Sequence, residues 1–416
     1  MSERASGPVE VLRFSARWAA LSVAVGVPVG LASAAFLAAL ERATAARLER
    51  PWLVFLLPVA GALSAFAYRR FGKDSDRGHD LLIEQIHEPG TGVPRRMAPF
   101  VFAGTVVTHL FGGSAGREGT AVQMGGAIAS AVARFFALER EAVRVALMAG
   151  VAAGFGSVFG TPVAGAVFAL EVLAIGAMRY DALVPCLLAS AVADWTCRAA
   201  GARHTVYSIP PGTPLDPLLA AKTIAAGAAF GVAGLLFAGL AHGLKRLFAR
   251  ASASPEARAA LGGVAVLALW ALSGTRDYLG LGVVAADPTS VTILSSFHPG
   301  GAGPLSWAWK ALFTATTVAS GFKGGEVTPL FFIGAALGNA TAVLLSAPVG
   351  LFAGLGLVAV FAGAANTPLA CTIMGVELFG AEYALPLALA CFTAYLFSGH
   401  SGIYRAQKLA HRKARP

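Results

Sequence analysis

Apolar stretches of helical length recur along the chain with few polar interruptions. Residues 14–41, 51–71, 97–111, 118–136, 141–154, 161–177 and 181–200 make one group, and 215–249, 256–273, 304–321, 328–345, 347–364, 367–379 and 382–398 make a second. A polar break at 201–213 divides them, and a shorter amphipathic segment is expected near 285–297. Several of these segments fall well short of the ~20 residues needed to cross a ~30 Å hydrocarbon core. Short, glycine-interrupted segments among longer apolar ones predict broken helices whose ends meet at a buried site.

The second group repeats the first. Gly116-Arg117-Glu118-Gly119-Thr120 has a counterpart in Gly324-Gly325-Glu326-Val327-Thr328, and a helix of small residues follows each. Thr161-Pro162 leads to Glu171 nine residues after its proline, and Thr367-Pro368 leads to Glu377 at the same interval. Glu326 follows Glu118 by 208 positions, and Glu377 follows Glu171 by 206. Two halves on one plan, each with an odd-looking number of segments, predict an all-α polytopic membrane protein built as two inverted-topology repeats with the site at their interface. The expected division is 1–13 as an N-terminal segment, 14–200 and 214–400 as the repeats, 201–213 as their connection and 401–416 as a final segment with a basic tail.

Composition agrees with the pattern. Hydrophobic residues make up 56% of the 416 and charged residues 13%, about half the charged share of a soluble domain; mean hydropathy is +0.68. The net charge of +10 does not point to nucleic acid, because the basic residues form no stripe with interleaved aromatics. Arg4, Arg13 and Arg17 precede the first span, and Arg405, Lys408, Arg412, Lys413 and Arg415 follow the last, so both termini are expected in the cytoplasm. The first apolar run lacks a cleavage site and reads as a retained helix. Cys186, Cys197, Cys371 and Cys391 show no metal-ligand spacing and read as buried small hydrophobes. No Walker loop, nucleophile triad, zinc spacing or dinucleotide fingerprint is present, so no enzyme, metal, cofactor or nucleotide is expected. No soluble regulatory domain is expected after the last helix.

Chemistry concentrates on Glu118 and Glu326. Both stand at helix starts among glycines, where unpaired backbone N–H groups attract anions and a carboxylate can occupy the place of a mobile one. The repeat brings the pair toward the midplane from opposite halves, where burial resists ionisation and the helix start favours it; such a group can trade a proton for an anion. The plainer reading makes them structural caps, or partners of a buried arginine such as Arg117. Glu171 and Glu377 read as helix stitches in preference to a proton path. Thr328 offers a hydroxyl in reach of whatever Glu326 addresses, or serves as a helix cap beside Pro329. Tyr404 reads from composition alone as an interfacial aromatic anchor. His87, His109 and His400 are isolated and read as packed or interfacial.

These motifs resemble the CLC family of chloride channels and anion/proton antiporters, across nearly the whole chain. GREGT at 116–120 looks like the family's GREGP motif, whose glutamate is the external gate. GGEVTP at 324–329 stands where the chloride members carry a G-x-F-x-P motif, and Tyr404 where they carry a pore tyrosine. An acid in that second motif, with threonine two residues later, is similar to the bacterial fluoride/proton antiporter branch. Gly90-Thr91-Gly92-Val93-Pro94 imitates the family's GSGIP signature but lies only 27 residues before Glu118, and reads as a loop turn. His79, 39 residues before Glu118, fits the slot of the family's anion-coordinating serine; a structural polar residue at a helix start is the alternative. The chloride antiporters' internal proton glutamate falls at Val172, so Glu326 is expected to supply the second protonatable site.

Fluoride sheds its water at higher cost than chloride, so its site must return strong donors. The resemblance implies a homodimeric inner-membrane protein exporting fluoride in exchange for protons. Glu118 and Glu326 would serve gating and proton transfer. The anion site would draw on Thr328, Tyr404, His79, Val327 and Gly119, with Phe361 as an aromatic edge or, in its default reading, core packing. A chloride channel or chloride/proton exchanger is the alternative within the family; a non-transporting membrane scaffold or intramembrane enzyme is the alternative outside it.

Overall fold

The computed structural model describes residues 8–210, 214–285 and 287–413. Arg4, Arg415 and the end of the expected connection, 211–213, lie outside the described residues. The first half runs α1 (Pro8–Glu49), α2 (Leu57–Ala67), α3 (Gly78–His87), α4 (Met97–Leu110), α5 (Glu118–Phe135), α6 (Arg140–Phe159), α7 (Pro162–Glu171) and α8 (Leu183–Ala199). The second runs α9 (Pro217–Ala251), α10 (Pro255–Ser273), α11 (Ser306–Ala319), α12 (Val327–Leu345), α13 (Val349–Ala365), α14 (Pro368–Phe379) and α15 (Ala384–Phe397). Among the described residues, seven helical spans are long and apolar enough to cross a membrane, and several shorter apolar helices lie between them.

The two halves pack by the same rules. Within each, a pair of helices is brought together by facing glycines: a Cβ on Gly125 of α5 would lie 2.1 Å from the Gly150 carbonyl oxygen of α6, and one on Gly334 of α12 2.0 Å from that of Gly356 of α13. Bare backbone at these points lets helices approach closely where no hydrophobic drive separates protein from lipid. Between the halves, the contacts are reciprocal. Glu171, the last residue of α7, accepts the N–H groups of Leu369 and Ala370 at 3.1 and 2.8 Å, while Glu377 of α14 accepts those of Val163 and Ala164 at 3.0 and 2.8 Å. Each helix thus caps the N-terminus of its counterpart, which two equivalent segments achieve only when one is inverted relative to the other. Both carboxylates act as the helix stitches expected of them.

Two expectations fail locally. In the segment expected amphipathic near 285–297, the described residues 287–297 form turns and a single 3-10 turn at Ser295–Phe297 instead of a helix, because Asp287 and Ser295 bond short-range backbone and side-chain groups in place of a helical ladder. The segment expected helical to 177 stops at Glu171; Ala174 and Ile175 instead pair in parallel with Lys408 and Leu409. This strand pairing ties the C-terminal segment, and Tyr404 with it, against the end of α7.

Candidate functional site

The loops before α5 and α12 meet as a two-residue antiparallel bridge. Gly116 N–H donates to the Gly325 carbonyl at 2.6 Å and Gly325 N–H to that of Gly116 at 2.9 Å. Polar residues of α11 and α4 hold the first loop in place. Ser114 N–H donates to Thr317 Oγ1 at 3.1 Å, the Ser114 and Thr314 hydroxyls pair at 2.8 Å, and His109 Nε2 lies 3.0 Å from the Ala115 carbonyl.

Glu118 is the first residue of α5 and fully buried. Its carboxylate takes the Thr328 N–H and the Arg117 N–H, each at 3.1 Å, and the Thr328 hydroxyl, with Arg117 Nε 3.4 Å away. The side chain therefore sits on the N-terminal end of α12, in the other half, where exposed N–H groups and the helix dipole favour negative charge. Thr328 is not a cap of its own helix: α12 starts at Val327, and both Thr328 donors address Glu118. The Thr328 hydroxyl, expected in reach of whatever Glu326 addresses, bonds Glu118, since bridging Gly116 to Gly325 crosses the two motifs.

Glu326 precedes α12 and turns the other way, into a cavity of about 450 Å³. His79, Asp80, Gln123, Lys323, Arg405 and Tyr404 share that cavity. His79 stands near the start of α3, where Gln123 Nε2 donates to its Nδ1 at 3.1 Å, so a neutral ring carries its hydrogen on Nε2. That edge faces Gly119, on which a Cβ would fall 2.7 Å from His79 Cε1. Tyr404 is buried, with its ring 5.4 Å from that of His79. Gly119 follows Glu118, and Val327 is buried at the head of α12. Phe361 is fully buried in an aromatic cluster with Phe155, Phe168 and Phe331, and Phe168 connects it to Tyr404 at 6.3 Å between centroids. GTGVP forms a loop, as its spacing predicts, and Val172 is buried and apolar.

Three cavity groups carried no sequence signal of their own. Lys323 pairs with Asp76 and lies 4.4 Å over the Tyr68 ring; Asp80 accepts the Ala406 N–H at 3.3 Å, holding the chain beyond Tyr404. Their nearness to GGEV and to His79 in the sequence was the one available hint.

The motifs, their convergence and the inverted packing agree with comparison to known proteins. A family described as "Voltage gated chloride channel" matches residues 60–399. The chain belongs to this family. It is 50% identical over 411 residues to the chloride/fluoride channel protein of Pseudomonas syringae pv. tomato, covering 97% of this chain and 89% of the relative. The crystal structure of a CLC-type fluoride/proton antiporter matches with a TM-score of 0.90 at 34% identity, covering 98% of this chain and all of that one. A slow cyanobacterial Cl⁻/H⁺ antiporter shares the fold, with a TM-score of 0.76 at 20% identity over 92% of this chain and 94% of its own.

Proposed function

We propose that this membrane protein is a fluoride/proton antiporter that exports fluoride from the cytoplasm, driven by the inward proton gradient. The observation that carries the reading is the seat of Glu118. A carboxylate held by two backbone N–H groups and a hydroxyl occupies a place that suits a small, strongly hydrated anion. Across the Gly116–Gly325 bridge a second carboxylate, Glu326, faces the cavity. Protonation of Glu118 removes its charge and frees these donors for fluoride. Protonated Glu326 donates to the anion, whereas its ionised form repels it, so anion and proton occupy this region together. Thr328, Gly119 and Val327 supply donors at the two helix starts, and His79 with Tyr404 flanks the inner approach. Phe361 shapes the wall beyond.

The proposal extends to a homodimer in the inner membrane, with both termini cytoplasmic and the repeats spanning 14–200 and 214–400. The test is halide efflux from proteoliposomes with proton uptake recorded in the same trace. Fluoride efflux coupled to proton uptake, with chloride much slower, is the expected result. Chloride leaving as fast as fluoride refutes the selectivity and returns the chloride reading that Val172 also fits. Movement of no halide, with or without a pH gradient, refutes transport and favours a scaffold or intramembrane enzyme.

A further inference from the structure

Two buried cations stand on the side of the bridge away from the cavity. Position along α11 gives the order of depth: Ser320, just past its end, lines the cavity, Thr317 and Thr314 hold the Ser114 loop, and Lys310 lies one further turn away. At 1.5 Å per residue, Lys310 and Ser320 are about 15 Å apart along the helix. Lys310 is fully buried, and its ammonium donates to the carbonyls of Tyr278 and Gly280 at 3.1 and 2.7 Å and lies 5.3 Å over the Phe332 ring. Phe332 is one turn beyond Thr328 on α12, so the lysine stands behind the helix end that holds Glu118.

Arg47, in the last turn of α1, reaches the same 278–280 turn. Its guanidinium lies 3.0 Å from where a Cβ on Gly280 would stand, and its Cδ 3.5 Å from the corresponding point on Gly112, in the loop that leads to Glu118. Arg47 is 6% exposed, its Nε has no hydrogen-bond partner, and neither cation has a carboxylate within ion-pair distance among the described residues. Arg276, stacked on Trp270, adds a third positive charge nearby. Buried charges are costly unless compensated, and intramembrane cations face pathways for that reason.

We propose that Arg47 and Lys310 form an outer anion site, filled by the transported halide after it has passed Glu118. The site rests on the transport reading above. A guanidinium with an unused donor supplies direct contact, and the lysine, held by two carbonyls, supplies a fixed field. Together they draw the anion past the gate and hold it while the Glu118 carboxylate returns to α12.

Proteoliposome fluoride efflux and thermal melting of wild type, Arg47→Met and Lys310→Met test this. At an effective dielectric constant of 20, one charge at roughly 10 Å changes an anion's energy enough for about a tenfold effect. Both variants are expected to lower fluoride turnover about tenfold and to keep the wild-type ratio of protons to fluoride; Arg47→Met is expected to melt no lower than wild type, whereas Lys310→Met also loses the bonds to Tyr278 and Gly280 and melts lower, and Lys310→Arg is expected to recover part of the loss. Wild-type turnover in Arg47→Met overturns the site whatever Lys310→Met does, since the arginine has no structural bond to lose. Loss of turnover matched by loss of melting temperature in both variants also overturns it, leaving two structural clips. If the wild-type protein moves no fluoride, the transport reading itself falls and the outer site falls with it.

Discussion

Replacing Glu171 with glutamine separates a helix stitch from a proton carrier. Pro368 at the head of α14 has no N–H, and the next two N–H groups, of Leu369 and Ala370, both go to the Glu171 carboxylate at 3.1 and 2.8 Å. Glutamine keeps the shape but offers one accepting oxygen, and turns an amide NH₂ toward an N–H. The loss is one charge-assisted hydrogen bond, about 1.5–3 kcal/mol, with about 0.3–1 kcal/mol more from the α14 dipole. At about 2.1 cal/mol/K of unfolding entropy per residue, a chain of this length shifts about 1 °C per kcal/mol. Glu171→Gln should therefore melt about 2–4 °C below wild type in detergent. Both carboxylate oxygens are committed to backbone, so the variant should still exchange fluoride for protons at the wild-type ratio. Unchanged melting together with fluoride efflux that no longer takes up protons would refute the reasoning and make Glu171 a proton carrier. Glu377→Gln, at the more exposed reciprocal contact, should show the same pattern with a smaller shift.

Three further outcomes follow from the geometry. Glu118→Gln cannot alternate between a charged and a neutral gate, so uphill fluoride movement driven by a pH gradient should vanish; a variant that still concentrates fluoride removes Glu118 from the gate. Thr328→Val deletes the hydroxyl bond to Glu118 and keeps the backbone N–H. A bond to a charged group is worth about 1.5–3 kcal/mol, so proton-independent fluoride efflux should rise at least about tenfold, with Thr328→Ser behaving as wild type. Gly334→Ala would place a Cβ 2.0 Å from the Gly356 carbonyl oxygen, forcing α12 and α13 apart at a cost of about 1–3 kcal/mol or more, read as lower melting and reduced transport. Gly239→Ala is its control, since nothing lies within 4 Å of that Cβ and alanine gains about 0.5–1 kcal/mol in a helix interior.

The repeat of glycine, acid and Thr-Pro signals determined most of what the sequence could give: helices near their observed positions, a break between halves and two acids at helix starts, while the resemblance of GREGT and GGEVTP to known motifs pointed to the family. These are properties of local composition and spacing, and they survive without knowing which segments touch. The failures lie where local signals stop. Residues 285–297 alternate well enough to resemble an amphipathic helix, yet short-range hydrogen bonds from Asp287 and Ser295 win. The strand that follows the stop at Glu171 pairs with one contributed from position 408, more than 200 residues away. Tertiary structure decided the partners. Spacing paired Thr328 with Glu326 because they are neighbours in sequence; the crossed Gly116–Gly325 bridge turned its hydroxyl to Glu118 and Glu326 to the cavity. It also decided that Arg47 and Lys310, 263 residues apart, meet at one turn. Which groups share a buried charge depends on where inverted halves cross, and no local property of either half encodes that crossing.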